Sequence, residues 1–209
     1  MPEKKRRDTP DRRAQIVHSA VGLISSHGMA GATTARMAAD VGISEPALYR
    51  HFKNKQMILL AALDEVSAEL IEYTMSAGAS EKDLVERLRL MSAAFYDFVM
   101  SHPDETRVLF EAVSMARDDE MRSALGGKVS DLLSIVESVL SEGVEQGAFK
   151  VNLDVSLVAW EIVSLGITLY VASILDFKDV LPKEKALTAV DRLLASIIAE
   201  ERKERRKSR

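Results

Sequence analysis

Cysteine is absent from this chain of 209 residues, which excludes disulfide bonds and thiolate metal ligands. Its four histidines, His18, His27, His51 and His102, form no HExxH arrangement. There is no Gly-x-Ser-x-Gly elbow and no phosphate-cradling glycine loop. The sequence therefore offers no catalytic residues, no metal site and no cofactor site, and an enzyme is not expected. Proline (5) and glycine (10) are too scarce to interrupt the chain often, and strong helix formers dominate. Long uncharged runs are missing too. The longest, Ile162 to Leu175, has 14 residues, short of the ~20 that span a bilayer. It reads as a buried helix, with no membrane partner. The chain opens polar and basic rather than with a signal peptide, and a cytoplasmic protein is expected.

What is present divides unevenly. Residues 1–55 carry ten Lys/Arg against five Asp/Glu, whereas the remainder carries 18 against 27. A basic head on an acidic body favours a polyanionic partner at one end only. Four consecutive cations, Lys4-Lys5-Arg6-Arg7, sit in an arm at 1–9 expected to be disordered. They serve either to reach the phosphate backbone or minor groove or simply to keep the chain soluble.

Within the basic head, Thr33 to Lys55 has the pattern of two short helices around a tight turn. Thr33 or Thr34 caps the first helix, Gly42 stops it, and Ser44 caps the second, with Pro46 in its first turn. Met37, Ala38, Val41, Ile43, Leu48 and Phe52 are spaced to pack across the turn. This is the helix-turn-helix pattern, whose second helix enters a DNA major groove. Thr33 and Thr34 lie at a helix N-terminus, where hydroxyl and free N–H groups suit a phosphate. The exposed start of the second helix offers Ser44, Glu45, Pro46, Ala47 and Arg50 for base contact. Ala47 or Pro46 suits a thymine methyl, Glu45 a cytosine amine, and Arg50 a guanine or a phosphate. Glu45 equally suits the helix dipole alone. Arg36 can reach bases or backbone from the first helix.

The run Thr33-Thr34, Ala38-Ala39, Val41-Gly42-Ile43-Ser44 and Leu48-Tyr49-Arg50-His51-Phe52-Lys53-Asn54-Lys55 resembles the DNA-binding signature of the TetR (tetracycline-repressor) family. The resemblance covers roughly residues 12 to 63. It implies phosphate contacts from Tyr49, His51 and Lys55, with Phe52 in the core. It also implies an all-α fold, an N-terminal three-helix bundle with the helix-turn-helix followed by a larger helical ligand-binding and dimerisation domain. The expected boundaries are 10–55 for the head, 56–204 for the body and 205–209 for a basic tail.

The rest of the chain carries only amphipathic helical stripes. Helices are expected from Thr9 to about Gly28, Lys55 to Ala77, about Asp83 to Ser101, Asp104 to Met115, Asp119 to Glu145, Ser156 to Ile174, and Lys183 to about Glu204. Gly126-Gly127 is expected to break or kink the fifth of these. The penultimate helix is apolar almost all round, and the last carries a heptad-like seam. By resemblance these two form a homodimer interface, with Leu165, Leu169, Leu187, Val190, Leu194 and Ile197 as its residues. Met75, Met91, Phe95, Phe98, Phe110, Met115, Trp160 and Tyr170 are candidates to line a pocket for a small, largely hydrophobic effector. The expected function is thus a homodimeric, nucleoid-associated repressor released from a palindromic double-stranded DNA operator by that effector. The alternative is an activator or DNA-bound adaptor of the same fold that acts through a protein partner.

Overall fold

Apolar residues recur at three- and four-residue steps along most of the chain, and helices follow wherever they do. The computed structural model describes residues 9–114, 116, 119–177 and 179–199. The Lys4 to Arg7 cluster, Met115 and the basic tail lie outside the described residues. Thr9 begins the first helix, as expected of the helix from Thr9 to about Gly28. In chain order the helices are α1 (Thr9–Gly31), α2 (Thr34–Asp40), α3 (Glu45–Leu48), α4 (Lys55–Gly78), α5 (Leu84–Ser101), α6 (Pro103–Ser114), α7 (Asp119–Glu145), α8 (Val155–Ile174) and α9 (Lys183–Ile197). Among the described residues the sole β pairing is an isolated antiparallel bridge between Phe149 and Ile198. The fold is all-α.

Two compact units emerge. One takes in the chain up to Ala68 with Asp104–Ala124, and the other Glu69–Pro103 with the chain from Leu125 onward. In the first, α1 buries Ile16, Val17, Ala20, Val21 and Ile24, and α2 packs against both α1 and α3. At Gly28 the backbone turns to φ 71°, a left-handed conformation open to glycine, and α1 kinks there before running on to Gly31. Glu111 of α6 accepts a hydrogen bond from the Met29 N–H at 2.7 Å, capping the short segment after the kink.

In the second unit α5 is central, packed against α8 and α9. Asp83 caps α5 by accepting from the Val85 and Glu86 N–H groups. The main core joins Leu84, Leu88 and Met91 of α5, Val136 and Leu140 of α7, Val158 and Val163 of α8, and Val190, Leu194 and Ile197 of α9. Gly126-Gly127 does not break α7, which is helical from Asp119 to Glu145.

Two sequence expectations change here. The seam of α9, Leu187, Val190, Leu194 and Ile197, is buried within its own chain. A residue enclosed by its own core is not free to face a second copy. Leu169, assigned to the same interface, is buried too. Conversely α8, expected as a buried helix, is buried on one side only. Val158, Ala159, Val163, Leu169 and Ala172 face inward, while Leu157, Trp160, Leu165, Ile167 and Val171 are exposed. At 20 residues, α8 is also longer than the uncharged run, and long and apolar enough by length and composition to cross a membrane.

Candidate nucleic-acid interface and body cavity

Gly42 adopts φ 68°, and the turn closes with Gly42 N–H to Ala39 O at 3.1 Å and Ile43 N–H to Ala38 O at 2.9 Å. This turn carries the chain from α2 into α3. As a regular α-helix α3 is four residues long, shorter than the stretch to Phe52 expected from sequence. The chain stays wound beyond it, since Arg50 N–H bonds to Ala47 O and His51 N–H to Leu48 O. Tyr49, Arg50 and His51 thus project from a tightened extension of the helix. Behind it Leu48 and Phe52 are buried.

Surface position separates the candidate contacts. Thr33, Arg36, Ser44, Pro46, Tyr49 and Arg50 are exposed, Glu45, Ala47, His51 and Lys55 half-buried. Thr33 is the N-cap of α2, its hydroxyl accepting from the Arg36 N–H. Ser44 occupies the N-cap position of α3, yet its hydroxyl makes no capping bond. Arg36 gives one N–H to the Gly31 carbonyl at 3.0 Å; its guanidinium has four more.

Thr34 departs from expectation. It is 9% exposed, and its hydroxyl donates to the Glu45 carboxylate, which joins the two helices of the motif. The Tyr49 hydroxyl donates to Thr34 Oγ1 at 3.4 Å. Thr34 therefore acts as an internal tie rather than as an open phosphate grip. Glu45, offered as a base reader, holds the other end of that tie.

The cations divide similarly. Arg12 Nη1 donates to the Val41 carbonyl and Arg13 Nη1 to the His51 carbonyl, each at 2.8 Å. The Arg13 guanidinium also lies 3.9 Å over the Phe52 ring. Both arginines thus brace the motif from α1. Lys55 Nζ donates to the Met29 carbonyl at 3.0 Å, and burial holds its pKa below the ordinary lysine value. Two of its N–H groups remain for a further acceptor. Arg50 and Lys53 are exposed, and neither side chain has a hydrogen-bond or ion-pair partner among the described residues. Lys53 was not singled out from the sequence. The signal that could have found it is its place between the motif's last buried aromatic and the next helix cap.

The second unit holds a partly open cavity of about 140 Å³. Its walls come from the end of α4 (Ile71, Thr74, Met75) and from α5, α7, α8 and α9. Of the residues expected to line a pocket, Met75, Met91 and Phe95 do so. Phe98 is instead sealed in the core, its ring 4.4 Å from His102 and 5.7 Å from Tyr73. Tyr170 stands behind Phe95 at 5.8 Å, and burial pushes its phenol pKa up. Trp160 is on the exposed side of α8, and Phe110 is exposed on α6, in the other unit. Leu165, Leu169, Leu187 and Val190, expected at a dimer seam, line the cavity. A stripe shared by α8 and α9 looks alike in sequence whether it faces a second chain or a hollow in its own.

A braced two-helix turn, with unpartnered cations on its surface and a larger helical body, defines a helix-turn-helix DNA-binding regulator. The chain belongs to the tetR family of bacterial regulatory proteins, which its residues 16–62 match; residues 81–171 match the tetracyclin repressor-like C-terminal domain. Members of that family are DNA-binding regulators and not enzymes. The chain is 34% identical over 133 residues to the nucleoid occlusion factor SlmA of Escherichia coli. That match spans 63% of this chain and 65% of SlmA, just under two thirds of the relative's length. Among solved structures the chain is similar to the fatty acid degradation regulator FadR from Bacillus halodurans, at 22% identity, TM-score 0.74 and coverage of 91% and 97% of the two chains. It is also similar to FadR from Bacillus subtilis in complex with stearoyl-CoA, at 22% identity, TM-score 0.72 and coverage of 87% and 95%. At these identities the likeness is one of fold.

Proposed function

We propose that the chain is a homodimeric transcriptional repressor that leaves a palindromic operator when a small, largely apolar effector enters the body cavity. The observation that carries this reading is the course of α4. The helix begins at Lys55, directly after the recognition segment, and near its other end Ile71, Thr74 and Met75 form one wall of the cavity. A ligand that contacts one position of α4 better than another shifts the equilibrium between the two, and operator affinity with it. The head at 10–55 is assigned DNA binding and the body from 56 effector binding and dimerisation. The site of action is the nucleoid in the cytoplasm.

In the head, Arg50, Lys53, Lys55, Tyr49, His51 and Thr33 grip phosphates, while Ser44, Pro46, Ala47 and Arg36 face the bases. The exposed α8 stripe, Leu157, Trp160, Ile167 and Val171, takes the role of the dimer surface in place of the buried α9 seam. These residues recur at helical spacing on one face, as a self-complementary two-fold interface requires.

The 34% identity to a nucleoid occlusion factor favours a second reading, a DNA-bound adaptor that acts through a protein partner. The two part on one measurement, the affinity of the purified chain for its duplex before and after addition of aliphatic compounds. The repressor reading expects at least a tenfold loss with one of them. An affinity unmoved by any compound that binds the body supports the adaptor.

A further inference from the structure

We propose that the body cavity selects a neutral aliphatic molecule and excludes carboxylates and acyl-CoA phosphates; this rests on the cavity being the effector site. None of the described residues lining it is charged. Its hydroxyl groups are committed as donors. Ser92 donates to the Leu88 carbonyl at 2.8 Å, Tyr96 to the Leu181 carbonyl at 3.0 Å and Thr168 to the Ser164 carbonyl at 3.0 Å. Whichever of these oxygens a ligand meets, it meets as an acceptor. The fourth hydroxyl, on Thr74, is enclosed in the wall and has no hydrogen-bond partner, which leaves it as a lone neutral donor. An alcohol therefore finds a lone pair to donate to. A carboxylate finds no cation and at most the one Thr74 hydroxyl as donor, and an anion placed there would lie without a counter-charge in apolar surroundings.

Nor do nearby cations offer a rescue. Arg87 is paired with Glu142 at 3.2 Å, Arg89 with Asp191 at 2.9 Å and Lys183 with Asp97 at 2.6 Å. An incoming phosphate or carboxylate would have to displace a carboxylate already in place. In the head, the side chains of Arg50 and Lys53 stand exposed and have no partner among the described residues.

Phe95 lies against Gly166 in the cavity wall. A Cβ on Gly166 would come 3.1 Å from Phe95 Cε1, so a larger residue there displaces the ring. A cavity of about 150 Å³ lined by aliphatic and aromatic side chains holds a molecule the size of benzene, and a medium-chain alcohol is the matching probe.

The test titrates the full chain calorimetrically with octan-1-ol, octanoate and octanoyl-CoA, and repeats each titration on Gly166→Ala and on Ala189→Leu, which fills the cavity from α9. Retained duplex binding by each variant reports that it is folded. The expected result is that octan-1-ol binds at least tenfold more tightly than either anion, and that both variants weaken it at least threefold. Octanoate or octanoyl-CoA binding as tightly as the alcohol, with the same sensitivity to the variants, would overturn the neutral-ligand inference and leave the effector site standing. Binding of none of the three, or binding indifferent to both variants, would overturn both.

Discussion

Lys53 and Lys55 carry the same charge two positions apart and have different surroundings. Lys53 stands exposed without a partner, so replacing it removes only what it gives to DNA. Lys53→Ala is expected to lower the slope of log affinity against log salt by about 0.9, the value for one neutralised phosphate, with the melting temperature unmoved. Lys55 also holds the Met29 carbonyl. Lys55→Met is expected to weaken DNA binding and to cost about 1 kcal/mol of stability through the lost hydrogen bond, read by urea denaturation. Thr34→Val belongs with Lys55, since it strands the Glu45 carboxylate and should cost a similar ~1 kcal/mol. None of these pairings was legible in the sequence. The motif's residues were recognisable from their types and spacing. Thr34 meeting Glu45, eleven positions on, depends on the angle at which α2 and α3 cross. The same holds for Arg12 and Arg13, which read as part of a charged head until α1 places them on the carbonyls of Val41 and His51.

At the scale of the element, apolar periodicity identified the long helices, and the caps fixed most of their ends. Asp83→Ala should cost about 1 kcal/mol, the value of an N-cap. What periodicity could not supply was the identity of the covering surface. The stripe of α9 has heptad-like spacing, and that spacing is equally satisfied by a partner chain or by α5 of the same chain. The structure supplies α5. Leu194, 2% exposed, should therefore cost about 2–5 kcal/mol when cut to alanine, and the loss should appear as unfolding rather than as dissociation. Trp160 on α8 is 48% exposed and should behave in the opposite way. Trp160→Glu is expected to leave helicity intact while sedimentation shifts from dimer to monomer. Dissociation by Leu194→Ala with its fold intact would restore α9 to the interface.

At the scale of the molecule, the chain combines a head that presents the exposed cations Arg50 and Lys53 with a body that holds an apolar cavity. The basic-to-acidic division of the sequence already separated these two ends. The hollow itself was not legible, because Met91 and Phe95 at helical spacing read the same in a solid core. The central claim is sequence-specific binding to DNA as a symmetric pair. It is tested most directly by selecting bound duplexes from a random pool with the full chain and weighing the complex that forms. The account predicts an enriched palindrome, with half-sites one helical turn or a multiple apart, that carries a whole number of dimers. Retention of duplexes without a shared two-fold motif, or a specific complex holding a single chain, would contradict it.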